Sequence, residues 1–453
     1  MRHAVLSTVT GGASTGVTQA DPIDAYIAAE MTRSDTPGLS VAVVRDGKIV
    51  REQGYGVANV EHGVPVKPET VFQAGSVGKQ FTAALIALLA EDGKLGLDDR
   101  IARHLPEAPA AWQDVTVRHL LTHTSGLGDP DEGLDLRQDY TDAQMIAAAA
   151  AVPPDFQPGA AWEYSNIGYR LLGYIANRAG GKFYGDQLRE RIFAPLGMGS
   201  RIISERDIVP HRAAGYEFVD GELKNQEWVS PTTNTSADGS LYVTARDLAL
   251  WDIALYGDRP LGARIRQMSW TPVTLADGTT EPYGFGWMVE AINGHRHIWH
   301  NGQWQGFRSV IHRFPDDRLG VIVLANSTSA PVEKIGRQVA RMLLPALVRQ
   351  PIADTEPRVT ARAREILMHL ARGVHPPGLS AAAQARLPPH TMAWMAQNIR
   401  RFGALGELEP LERTDKGDLR LRQYRARFAN DDAALTFSLD RADRIGNIEL
   451  YLE

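Results

Sequence analysis

Residues 72–94 read FQAGSVGKQFTAALIALLAEDGK. Val77, Phe81, Leu85, Ile86 and Leu89 recur at three- and four-residue intervals, the pattern of one buried helical face, and Gly93 supplies a stop. The spacing predicts a helix from Ser76 to Asp92, with Ser76 and Lys79 leaving the same face about one turn apart. A serine hydroxyl is a poor nucleophile until a base takes its proton. A lysine can be that base where burial or a nearby charge lowers its pKa from about 10.4, at about 1.4 kcal/mol per unit. The helix start favours a developing oxyanion and leaves the Ser76 N–H free to donate to it. Alone, Ser-x-x-Lys arises about once by chance in a chain of this length. The plain alternative is an N-cap serine beside a solvated lysine.

Upstream, GLSVAVV and IVREQGYGVAN flank Arg45-Asp46-Gly47-Lys48, so a β-hairpin is expected there. A helix starting at Asp21 precedes it, and residues 1–19, rich in Ser, Thr and Gly, read as a flexible tail. Downstream, helical patterns broken by Pro and Gly run from about residue 98 to 270. Strands return between Tyr283 and Asn326, and a last helix covers 332–348. Early strands, a helical middle and late strands predict an α+β domain over 20–350 whose sheet is split in sequence. After a Pro351 to Pro357 linker, two helical patterns and four short strands predict a small α+β domain over 357–453.

Two further motifs follow. In FQPGAAWEYSNIGYRLLGYI (156–175), Tyr164 and Asn166 precede an apolar helix. A phenol beside a lysine can exchange protons, and an amide can orient the lysine and hold a substrate carbonyl. In WHNGQWQGFRSV (299–310), His300 and Gly302 lie on a strand, Gly302 making room for a substrate backbone, and the Gln303 N–H is a candidate second oxyanion donor.

Ser-x-x-Lys, Tyr-x-Asn and His-x-Gly each occur once, in that order. The combination resembles the serine β-lactamase and penicillin-binding-protein-like hydrolases, specifically the class C β-lactamase, D-aminopeptidase and related esterase group. The stretches EDGKLGLDDRI, VRHLLTHTSGL, YSNIGY, PLGM and WQGF also look like that group. The resemblance covers about residues 20–348. It implies a five-stranded antiparallel sheet flanked by helices, with the site between the sheet and a helical subdomain. Carried onto this chain, it makes Ser76 the nucleophile and Lys79 with Tyr164 the base system. Asn166 then contacts substrate, and His300-Asn301-Gly302 is the third motif. Most β-lactamases have Lys-Thr-Gly there; a histidine of pKa near 6.5 is mostly neutral at pH 7 and offers no permanent cation to a substrate carboxylate. The expected activity is therefore carboxylesterase-type hydrolysis of small neutral acyl substrates. The alternatives are a D-stereospecific aminopeptidase, amidase or carboxypeptidase on peptidoglycan-like peptides and, in another class, a ligand sensor without turnover. Residues 357–453 resemble nuclear-transport-factor-like accessory units.

Composition excludes other classes. A net charge of -6 with interleaved signs offers no basic stripe for nucleic acid, and zero cysteines exclude disulfides and thiolate chemistry. No apolar run approaches the ~18 residues of a membrane span. The N-terminus lacks a signal peptide's apolar segment, so a cytoplasmic site is expected as the sequence stands, or export if a leader was removed. Gly12 to Gly16 matches G-x-S-x-G without the strand and helix that motif needs. His295 and His297 share a strand face from which His300 points away, and no acid at ligand spacing completes a metal site. His123 and Ser125 are too close in sequence to act as a pair, so a turn or capping role is expected. No cofactor or metal is expected. The partner is a small ester, amide or peptide, with a homodimer left open.

Overall fold

Gly38–Arg45 (β1) places Leu39, Val41 and Val43 on one face and Ala42 and Val44 on the other, all buried, as in a strand covered on both sides. The computed structural model describes residues 21–130, 134–202 and 207–452; the tail expected over 1–19 lies outside them. β1 pairs antiparallel with Lys48–Asn59 (β2), which pairs with the two-residue Val64–Pro65 (β3). After the helical middle come Met288–Ile292 (β4), His295–Trp304 (β5), Phe307–Phe314 (β6) and Leu319–Ala325 (β7). The sheet order is β4-β5-β6-β7-β1-β2-β3, and Val41 faces Val323 where the halves join. The five long strands are those of the expected sheet, and the short β4 and β3 extend its edges to seven.

Alternation along the strands divides the core into two layers. Leu39, Val41, Val43, Val321 and Val323 pack under the helices Pro22–Arg33 (α1) and Val332–Leu343 (α4). Ala42, Val44, Ile298, Ile311, Ile322 and Leu324 face the helical middle. That layer is centred on Lys79–Glu91 (α2) and Asn166–Gly180 (α3). The expected helix at Ser76 begins as a 3-10 turn, Gly75–Gly78, and becomes α-helical at Lys79. On this inner face Arg313 and Asp252 form an ion pair without solvent exposure, roofed by Tyr256, Trp270 and Trp287.

Residues after the linker form a separate strand-rich domain. Helices Pro357–Ala371 (α5) and Pro389–Phe402 (α6) cover a four-stranded antiparallel meander: Leu405–Lys416 (β8), Leu419–Phe428 (β9), Asp432–Leu439 (β10) and Ile445–Leu452 (β11). Its own core includes Ile366, Leu370, Leu435 and Phe437. It meets the first domain where Lys334 of α4 pairs with Asp431 and, at 3.1 Å, with Glu30 of α1. No described helix is long and apolar enough to cross a membrane.

Candidate active site

The Lys79 side chain is fully buried, and its Nζ has three acceptors: Ser76 Oγ at 3.0 Å, Asn166 Oδ1 at 2.9 Å and the Asp238 carbonyl at 2.8 Å. Three acceptors match the three donors of a lysine head group. The same Nζ stands 4.8 Å from the Tyr164 ring centroid and 5.5 Å from that of Tyr169, within cation–π range. The amine thus stands against both the hydroxyl and the aromatic ring that lie in separate segments of the sequence. The Tyr164 hydroxyl is buried and has no hydrogen-bond partner among the described residues.

Backbone packing holds these groups in register. Ala74 N–H donates to the Leu241 carbonyl, and the Ala74 carbonyl accepts from Ser309 Oγ of β6. Gly75 adopts φ +55°, and a Cβ there would meet the Gln303 backbone nitrogen at 2.6 Å. Only a residue without Cβ allows the Ser76 turn to lie flat on β5. Asn166 opens α3, where Asp129 Oδ2 accepts its N–H at 3.0 Å and Ser165 caps the helix through the Gly168 N–H.

The third motif differs from its expected layout. His300 and Gly302 point to the inner face as alternation requires, but His300 does not line the cavity. It is buried, its Nδ1–H donates to the Asn301 carbonyl at 2.5 Å, and its Nε2 accepts from the Tyr283 hydroxyl at 3.1 Å. Burial, aided by Lys79 and opposed by the Asn301 carbonyl, pushes its pKa down to about 3, so the ring is neutral. Asn301 faces the other way, donating to Glu333 of α4 at 2.7 Å. Gly302 makes room for the chain itself: a Cβ there would lie 2.0 Å from the Ala74 carbonyl and 2.9 Å from Ser76 N. Gly302→Ala is therefore expected to displace the nucleophile turn and slow acylation of Ser76 by roughly 10²-fold, the effect of a displacement near 1 Å. The labelling rate of Ser76 by a fluorophosphonate, beside a melting curve, checks this.

A cavity of about 360 Å³ opens over these groups, lined by Ser76, Tyr164, Asn166, Gln303, Trp304 and Leu136, with Arg170 and Asp238 among its other walls. Arg170 Nε lies 3.3 Å from Asp238 Oδ1, both side chains nearly buried. Burial opposes charge on Asp238, yet Arg170 and then Lys79 hold its carboxyl below the usual range. Arg170 stands four residues after Asn166, one turn along the same face of α3. The pair was not singled out from the sequence, nor were Tyr283, Asp129 and the carbonyl of Asp238; only the HTSGL and YSNIGY stretches hinted at their neighbourhoods.

Four histidines near or behind the site are buried, and burial is the chief cause that holds each below its ordinary pKa: His123, His297, His300 and His312. His297 and His312 do not converge with His300; they bond to each other at 2.9 Å on the α4 side. A neutral buried histidine takes up its proton on unfolding, so its stabilisation is complete above the unfolded pKa near 6.5 and is lost as pH falls toward the folded value. For His300 that window runs from about 6.5 to about 3. The melting temperature should be level from pH 8 to 7 and fall from pH 6.5 to 4, each histidine adding up to about 1.4 kcal/mol per pH unit. A melting temperature flat to pH 4 in a thermal-shift series contradicts this.

Residues 23–344 match the Beta-lactamase family profile. Penicillin-binding protein 4* of Bacillus subtilis (strain 168) is 33% identical over 309 residues, 63% of this chain and 67% of that protein. D-aminopeptidase of Gluconobacter oxydans (strain 621H) is 30% identical over 322 residues, 68% of this chain and 59% of that protein, so the match spans less than two thirds of that relative. Among solved structures, D-amino acid amidase from Ochrobactrum anthropi SV3, complexed with L-phenylalanine amide, is 27% identical with a TM-score of 0.60, covering 72% of this chain and 97% of that one. The octameric penicillin-binding protein homologue from Pyrococcus abyssi, 22% identical with a TM-score of 0.62, shares the fold over 95% of this chain and 98% of its own.

Proposed function

We propose, for a chain that belongs to the Beta-lactamase family and is a serine hydrolase of the penicillin-binding-protein type, that Ser76 Oγ attacks the carbonyl of a small ester or amide bearing no carboxylate beside the scissile bond. Lys79 and Tyr164 together take the serine proton and deliver it to the leaving group. Ser76 N–H and Gln303 N–H receive the oxyanion, and water then releases the acyl group by the same proton route. Asn166 orients Lys79 and lies against the substrate. The observation that carries this reading is the Lys79 Nζ, 3.0 Å from Ser76 Oγ and 4.8 Å from the Tyr164 ring. His300 acts from behind the wall, through Tyr283, rather than on substrate.

The cavity wall supports a substrate without an anionic anchor: the one cation on its described part, Arg170, already faces Asp238. Within that limit small esters are the first reading. A D-stereospecific amidase is the second, favoured by the relatives named D-aminopeptidase and D-amino acid amidase. Turnover of p-nitrophenyl acetate against the D- and L-alanyl p-nitroanilides separates them. Intact-mass spectrometry after a fluorophosphonate tests the shared core: one adduct is expected, mapping to Ser76, and its absence refutes the acyl-enzyme.

A further inference from the structure

We infer that His123 is a positioning residue for Tyr164: its carbonyl and its imidazole grip the residues on either side of the phenol, and its ring supports the phenol ring. The inference rests on the reading of Tyr164 as a proton carrier. The His123 carbonyl accepts the Glu163 N–H at 3.0 Å, and His123 Nδ1 accepts the Ser165 N–H at 3.1 Å. Tyr164 therefore stands between two hydrogen bonds to one residue 41 positions earlier in the chain. The ring centroids of His123 and Tyr164 are 4.3 Å apart, and Tyr283 at 4.6 Å and Tyr169 at 5.1 Å close the stack around the imidazole.

Two costs mark the arrangement as specified rather than incidental. His123 has φ +59°, a left-handed conformation that few side chains adopt, and it is this turn that aims carbonyl and imidazole at the same strand of chain. With Nδ1 committed as acceptor, the proton must sit on Nε2, and Nε2 is buried without a partner among the described residues. A core histidine kept only for packing would satisfy its donor; here the donor is left unmet while the grip on Tyr164 is kept. Protonating Nδ1 would set two donors face to face and open the clamp. Burial first and then the Lys79 charge oppose that proton; His300, the other titratable group that bears on His123 besides the three tyrosines, is neutral. His123 does not line the cavity with Ser76, so its effect on the reaction passes through Tyr164.

Three variants test the assignment with p-nitrophenyl acetate as substrate. H123F keeps a ring and removes the acceptor; H123N keeps an acceptor in a residue that tolerates the left-handed turn. H123F should lower kcat roughly 10- to 100-fold with KM within about threefold, and H123N should recover most of that loss. Should H123F not fold, H123A against H123N reads the same split. If Y164F turns over like the wild type, the proton-carrier reading falls, and the role of His123 with it. If Y164F is impaired while the acceptor-less His123 variant melts lower but keeps its kcat, His123 is merely structural and this inference alone is overturned.

Discussion

Lys79→Met should lower kcat/KM by about 10³-fold or more, near the upper end of what general-base catalysis contributes, while leaving a folded protein. Methionine approximates the length of the lysine stem, so the packing around α2 survives, but the head group that serves three acceptors is gone. Ser76 Oγ loses its contact at 3.0 Å, and Asn166 Oδ1 and the Asp238 carbonyl lose theirs. Stranding two buried acceptors costs about 1–3 kcal/mol each. Removing a buried amine relieves a desolvation cost of similar size, so stability should change little. On the proposed mechanism the chemistry has no such compensation: among the described residues, Lys79 is the side chain hydrogen-bonded to the serine oxygen, and it is gone. Stopped-flow release of p-nitrophenol should show the acylation burst slowed in step with steady-state turnover. A variant retaining a tenth of wild-type kcat/KM would recast Lys79 as a scaffold.

The largest stability effect is expected at Arg313. Its guanidinium and the Asp252 carboxylate are both at 0% exposure, and one atom of each, Arg313 Nη1 and Asp252 Oδ2, has no hydrogen-bond partner among the described residues. Burial pushes the Asp252 pKa up, and Arg313 opposes that push. Arg313→Met removes the opposing charge and leaves a carboxyl that must be neutralised in place, a change that costs about 3–5 kcal/mol in comparable buried pairs. It also empties the space between Tyr256 and Trp270, whose rings stand 5.0 Å from the guanidinium carbon. The urea midpoint should fall accordingly. Arg313→Met with Asp252→Leu should recover much of the loss, because a matched apolar pair carries no buried charge. Equal instability of the single and double variants would contradict that account.

The contact between Ser76 and Lys79 was legible from local pattern: the apolar period of 72–94 fixed which face the two share, and that needs no knowledge of distant chain. The split sheet was legible for the same reason, from turns and alternation at each end of the domain. What was hidden lies in pairings across long separations. Alternation along β5 told which side His300 faces but not how deep, and burial with a Tyr283 partner turned a substrate-facing residue into a wall residue. Gly302 read as space for a ligand because the Ala74 carbonyl that needs that space is more than two hundred residues away. His123 read as a turn residue because its partner Ser165 is 42 positions on, with no periodic signal joining them. Asp238 entered the site by its carbonyl, a group every residue carries and no motif can flag.

The join between β1 and β7 carries a consequence for synthesis. Val41 cannot meet Val323 until 282 further residues have been added, about a quarter of a minute to a minute at 5–20 residues per second. Until then a strand rich in Val, Leu and Ala waits on the ribosome with one edge open, prone to wrong pairing or capture by a chaperone. Catalytic competence must therefore emerge late in translation, when β5 to β7 arrive and the serine turn first has a floor to rest on.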